Sequence, residues 1–166
     1  MPNDILIKYG AQQTITAALA GLASDTNLLA GLETSIIDNT TTGFEDIILS
    51  GFITTGTSPT ASRVIEVWAI AWNGSGWPDV FDGTTSAETI TSADIKNSIC
   101  KLVASISTSN NSDRRYDFTG VSARSVFGGV LPSKFVLFPT HSTGVNLNAT
   151  AGNHGLFYEG VTPQVQ

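Results

Sequence analysis

Alternation of apolar and polar positions is strongest between Arg63 and Trp72. In an extended chain Ile65, Val67, Ala69 and Ala71 fall on one side, and Val64, Glu66, Trp68, Ile70 and Trp72 fall on the other. β-Branched and aromatic residues dominate the run, which predicts a β-strand. The first side suits the tight interior of a sandwich. The second, with two tryptophans and one carboxylate, is too apolar for water and too large and polar for a close-packed core. A cover over it is therefore expected, and three candidates stand: another loop of the same chain, a second protein molecule, or a sugar.

The same patterning places further strands at Ile5 to Tyr9, Leu28 to Ile37, Phe44 to Thr55, Ile99 to Ser107, Arg115 to Phe118, Lys134 to Thr140, Val145 to Leu147 and His154 to Glu159. Thr14 to Leu22 is ambiguous, since Ile15, Leu19 and Leu22 recur at helical spacing while Thr14-Ile15-Thr16 begins as a strand. Gly31 inside its strand marks a bulge or a close approach of backbones. Asp38 to Gly43 is a turn by its chemistry, Asn110 to Asp113 is a hairpin-like turn, and Asn73 to Ser86 is the longest irregular stretch. Thr91 or Ser92 caps one helical turn, and Val121 to Phe127 forms a second that Gly128 closes.

Short strands at regular spacing with little helix predict an all-β fold, a two-sheet antiparallel β-sandwich of jelly-roll-like form with one or two short helical turns. No repeat, linker or charge block divides the chain, so residues 1–166 read as one domain, with 1–23 an amino-terminal strand or arm. The length suffices for a core without staples.

Composition narrows the function. A net charge of -6 argues against a nucleic-acid surface, which needs clustered Lys and Arg, and against an anionic membrane. No apolar segment is long enough to span a bilayer, and the first residues lack the basic start and apolar run of a secretory signal. Only 13% of residues are charged, about half the usual share. That balance is more typical of β-rich shells, adhesins and fibres than of cytosolic enzymes. Cys100, the single cysteine, lies in an apolar run and reads as a small core residue.

The candidate chemistry is sparse. His141 and His154 have no partner at metal or catalytic spacing and read as loop histidines bonded to backbone carbonyls. Asp79 and Asp82 beside Gly83 resemble a fragment of a calcium loop but lack its alternating acids and closing Glu. Asp113-Arg114-Arg115 is the one basic doublet, and suits either an interface or a surface turn. No nucleophile elbow, phosphate loop or zinc signature occurs, so no catalytic residue, cofactor or metal is expected. The aromatic set Trp68, Trp72 and Trp77 stands out, as an intramolecular cap, a subunit contact or a sugar-stacking platform. With no second acid or histidine for catalysis, Glu66 is expected to meet an arginine or a backbone donor, Arg114 or Arg115 being candidates.

Several runs together carry a resemblance: Ile53 to Thr60, Ile65 to Trp68, Ser92 to Ser98, Phe127 to Pro132, Gly144 to Asn148 and Gly152 to His154. Across most of its length the chain resembles small virion proteins of tailed bacteriophages, including jelly-roll head decoration or cement proteins. The resemblance implies a non-enzymatic protein, a homotrimer seated on the major capsid protein at the capsid surface, made in the bacterial host cytoplasm. The residues read above as interface candidates are Glu66, Trp68, Trp72, Trp77, Arg114 and Arg115. A carbohydrate-binding or tail receptor-binding module, with a glycan on the tryptophans, is the alternative.

Overall fold

The computed structural model describes residues 5–165. Eleven strands and two short helices follow one another: β1 (Ile5–Tyr9), β2 (Gln13–Ile15), β3 (Ala30–Leu32), β4 (Ile37–Asp38), β5 (Asp46–Thr54), β6 (Arg63–Ala71), β7 (Ala87–Thr89), α1 (Ala93–Ile99), β8 (Cys100–Thr108), β9 (Arg115–Ser122), α2 (Ala123–Val126), β10 (Lys134–His141) and β11 (Gly155–Val165). All strand pairings are antiparallel. One sheet runs β1-β11-β5-β9, with β2 also on β11, and the other runs β4-β10-β6-β8. This is the all-β sandwich that the patterning predicts.

The chain repeatedly changes sheet. Asn110 to Asp113 does not close a hairpin, because β8 pairs with β6 while β9 pairs with β5. The turn chemistry there is local, and it cannot distinguish a hairpin from a crossing between sheets. Val145 to Leu147 contributes a single bridge, Thr55 to Leu147, in place of a strand. The ambiguous Thr14 to Leu22 resolves into the end of β2 followed by irregular chain, with Ile15 and Leu19 both in the core.

Between the sheets lies the main core. Ile47, Leu49, Ile53, Phe118 and Leu156 meet Ile65, Val67, Ala69, Phe135 and Leu137 there, all buried. β6 therefore turns its Ile65 side inward, as its alternation requires. The opposite face of the β6-β10 sheet is not solvated. Ile70, Val136 and Phe138 form a second core with Phe81, Ile90 and Cys100. The cover consists of the two-stranded β3-β7 sheet, the loop between β6 and β7, and α1. β10 shows the consequence, with every residue from Phe135 to His141 buried.

Gly31 makes the cover fit. A Cβ there would stand 2.5 Å from the Pro139 carbonyl oxygen and 2.7 Å from the Phe138 ring, so only glycine lets β3 lie against β10. The close approach read from the sequence is the correct one of its two alternatives. Nearby, Thr140 Oγ1 donates to the Ala30 carbonyl at 2.6 Å, and the Thr34 amide donates to the Leu137 carbonyl at 3.0 Å. Gly31→Ala is expected to cost about 2 kcal/mol of stability through overpacking, measured as a lower urea midpoint at unchanged slope. Gly76→Ala, where an added Cβ meets nothing within 4 Å, should be close to neutral.

Candidate functional site

The carboxylate predicted to need a partner finds one inside its own chain. Glu66 lies on the second face of β6, and Trp68 lies two residues along on the same face. Trp68 Nε1 donates to Glu66 Oε2 at 2.8 Å, and Lys96 Nζ donates to the same oxygen at 3.0 Å. Lys96 also donates to the Leu28 carbonyl at 2.7 Å and stands 4.6 Å from the Trp68 ring centre. The side chains of Lys96 and Glu66 are only 7% and 16% exposed, so the ion pair is largely withdrawn from water.

α1 positions the lysine. Ser92 caps the helix, its Oγ accepting from the Ile95 amide at 3.2 Å, and one turn later Lys96 points back at the sheet. Ile95 and Ile99 pack against the second core beside it. The expected partnership of Glu66 with Arg114 or Arg115 is thus corrected. Those arginines belong to the other sheet's side of the molecule: Arg115, on β9, binds Asp117 at 2.6 Å and lies 3.6 Å from the Phe52 ring centre, while Arg114 lies 5.7 Å from the Tyr116 ring centre.

The tryptophans separate. Trp68 and Trp77 pack against the second core, both half-buried. Trp72, at the end of β6, has Lys134 Nζ 5.7 Å from its ring centre, and that lysine is also paired with Asp38 at 3.0 Å. Of the three covers the sequence left open for this face, the same chain supplies it: α1 brings Lys96 onto Glu66 and Trp68, and the β6–β7 loop folds Trp77 back onto the second core. The six candidates do not converge: Glu66, Trp68 and Trp77 share one layer, Trp72 sits at its rim, and Arg114 and Arg115 lie elsewhere.

Other polar groups close the same cover. Asp79 accepts from the Thr91 hydroxyl and amide, and Asp82 accepts from the hydroxyl and amide of Thr84. Both carboxylates are thereby engaged in loop geometry. Among the described residues no three His, Cys, Asp or Glu side chains converge as metal ligands. Cys100 lies in the second core, where burial pushes its thiol up to about 12.

Each histidine bonds a backbone carbonyl, His141 through Nε2 to Leu22 at 3.0 Å and His154 through Nε2 to Asn148 at 2.8 Å. Burial lowers both imidazoles below the ordinary value. His141 differs from expectation in one respect, since it ends β10 and is fully buried instead of lying in a loop.

Glu33 is a buried acid that the pattern did not single out. It is fully enclosed, with Oε1 accepting from the Gly83 amide at 2.7 Å and Oε2 from the Asp82 amide at 3.2 Å. Burial raises its pKa to about 7, against the lowering effect of the two amides. Lys96 and Glu33 escaped notice for one reason: each partner lies 30 or more positions away, at separations of 30 and 50 residues. The one local signal was the Ser92 cap, which fixes where Lys96 falls on the helix.

No family model matches the chain, and no curated protein or solved structure matches it either. The molecule is defined by its architecture, an antiparallel β-sandwich with one sheet covered on both faces.

Two measurements follow. Lys96→Met leaves Glu66 withdrawn from water without its cation and should cost about 3 kcal/mol, more than the Glu66→Gln, Lys96→Met double variant, in a double-mutant cycle by urea unfolding. Glu33 binds its proton more tightly folded than unfolded, so between about 4.5 and 7 the native state holds more protons and stability falls as pH rises. The stability of the wild type relative to Glu33→Gln should accordingly drop by about 3 kcal/mol across that window.

Proposed function

We propose that this protein is a non-enzymatic structural component of a tailed-phage virion, a decoration or cement protein that stabilises the head by bridging shell subunits as a homotrimer. One observation carries the reading. The titratable and aromatic side chains that could perform chemistry are bound up in contacts within the chain, whereas several large apolar side chains that stay open lie on strands and loop tips. Leu102 on β8 and Val130 in the loop before β10 are 46% and 77% exposed, and Ile5, Leu6, Ile7 and Tyr9 line β1. Such positions are reached by other protein surfaces. Many modest contacts of this kind add through multivalency on a repeating shell.

The exposed Arg114 suits the same role, since a guanidinium at the surface can meet a carboxylate of a neighbour, whereas Arg115 is already paired with Asp117. A glycan- or receptor-binding module is the second reading, and one feature favours it in a changed place. Phe52 and Phe157, 6.1 Å apart, line a shallow hollow of about 200 Å³ on the β5-β9-β11 sheet, together with the polar Gln12, Ser50, Arg115 and Asp117. Aromatic rings beside hydrogen-bonding side chains are the parts of a sugar platform, and here they are not tryptophans.

Purified protein added to expanded shells that lack it should bind saturably and raise the temperature at which the shells break, read by sedimentation and calorimetry. Absence of binding together with glycan-array binding that Phe157→Ala abolishes would replace the first reading by the second.

A further inference from the structure

Both histidines bond a backbone carbonyl through Nε2, and they differ in what faces Nδ1. For His154 it is the Thr54 amide at 3.3 Å, and for His141 it is the Thr143 hydroxyl at 2.9 Å. An amide only donates, whereas a hydroxyl donates or accepts. The Asn148 carbonyl opposite His154 Nε2 only accepts, so this ring is fixed from both sides in one neutral form, with its proton on Nε2 and its lone pair on Nδ1. A second proton would set an N–H against an N–H. The His141 ring is under no such restriction, because the Thr143 hydroxyl can accept from it while donating to the Val145 carbonyl at 2.9 Å.

The backbone explains why an imidazole stands in this position. The Thr55 amide donates to the Arg114 carbonyl at 3.0 Å on the β9 side, so alternation turns the groups of Thr54 toward β11. β11 begins only at Gly155, opposite Phe52, and so stops short of Thr54. His154 Nδ1 takes the place of the carbonyl that a longer ladder would offer to this buried residue. The Thr54 carbonyl accepts from the Asn148 amide at 3.1 Å, and its hydroxyl donates to the Asn153 carbonyl at 2.6 Å. The ring is thus part of the fastening between the end of β5 and the loop before β11.

We propose that His154 is an acid-sensitive latch, which fastens the loop from Asn148 to Asn153 to the end of β5 while its ring is neutral and releases that loop when the ring gains a proton. A space to move into adjoins the ring, a hollow of about 240 Å³ lined by His154 together with Thr14, Thr16 and Leu19. Ala149 to Asn153 are exposed, so the attachment of the loop rests chiefly on Asn148. Its carbonyl accepts from both His154 Nε2, at 2.8 Å, and the Gly21 amide, at 3.1 Å. Release therefore loosens the contact with the amino-terminal segment as well. An opening confined to exposed chain leaves the sandwich folded.

Burial sets the direction of the titration. It lowers the imidazole below the ordinary 6.5, against the raising effect of the Asn148 carbonyl. The ring meets Thr54 from β5, Thr14, Thr16 and Leu19 from the amino-terminal segment, and Asn148 from its own loop, none of them titratable. Beyond these stand Asp113, which accepts from Asn148 Nδ2 at 2.7 Å, and Arg115, opposite Thr54 on the ladder and paired with Asp117. Tyr158 and Glu159 follow along β11, and a charged His154 weighs against protonation of His141. The fastened ring holds its proton less tightly than the released one, so the loop is closed at neutral pH and opens as the pH falls below 6.5. The latch belongs to a single chain and does not depend on the capsid reading.

Amide hydrogen exchange resolved by residue, on the full chain between about pH 7.5 and about pH 5, tests it. Corrected for intrinsic exchange rates, the protection of the Thr54 and Asn148 amides should fall by about tenfold or more across that range, while the amides of β6 and β10 keep theirs. By heteronuclear NMR the His154 ring should gain its proton at Nδ1, with the same midpoint as the shift of the Thr54 amide. His154→Asn, whose side-chain oxygen can stand in for Nδ1 and does not titrate, should abolish the pH dependence of Thr54 protection. Wild-type protection that does not change with pH, a fall shared by β6 and β10, a fall that persists in His154→Asn, or a Thr54 shift that follows the midpoint of His141 would each overturn the proposal.

Discussion

Double burial of the β6-β10 sheet is the constraint on which the rest of the structure depends. In a two-layer sandwich each sheet keeps one face in water, yet β6 and β10 carry large apolar side chains on both. Ile65, Val67, Phe135 and Leu137 fill the space between the sheets, and Ile70, Val136 and Phe138 fill a second space behind it. Full burial of such side chains is worth about 1.5–3 kcal/mol each. That gain offsets part of the entropic cost of ordering the long irregular chain between β6 and β7.

Covering a sheet with loops brings polar backbone inside, and the buried charges answer that need. Lys96 reaches the Leu28 carbonyl as well as Glu66, and Glu33 receives two loop amides. The same lysine sits over Trp68, so one cation satisfies a carboxylate, a carbonyl and an indole face. By residue type alone these groups have the makings of a site. In space each is saturated by its own chain, and every buried side-chain nitrogen and oxygen among the described residues has a hydrogen-bond partner. Their geometry is that of fasteners between the cover and the sheet.

Outward, the two edges differ. β1 is apolar and unsheltered, whereas β9 carries Arg115 and Asp117 as a pair, the usual way to blunt an edge against unwanted pairing. Both edges of this sheet thus carry charge, a paired arginine and aspartate on β9 and a lone lysine on β1.

By itself the sequence determined what depends on neighbours along the chain. The alternation of Arg63 to Trp72 sorted its side chains onto two faces correctly, Gly31 announced a bulge or a close approach, Thr91 or Ser92 a cap for α1, and Gly128 closed the chain after α2 at φ 79°. Each of these signals is read within a few residues, where backbone sterics and the two-residue strand period operate. Tertiary structure alone decided which molecule covers the second face of β6, that Asn110 to Asp113 crosses between sheets, and that Glu66 meets Lys96 and not an arginine. Those outcomes turn on contacts between residues some 30 to 50 positions apart, such as Glu66 with Lys96 and Glu33 with Gly83. Loop closure over such distances has nearly the same entropic cost for many partners, so only the packing of the whole chain selects among them.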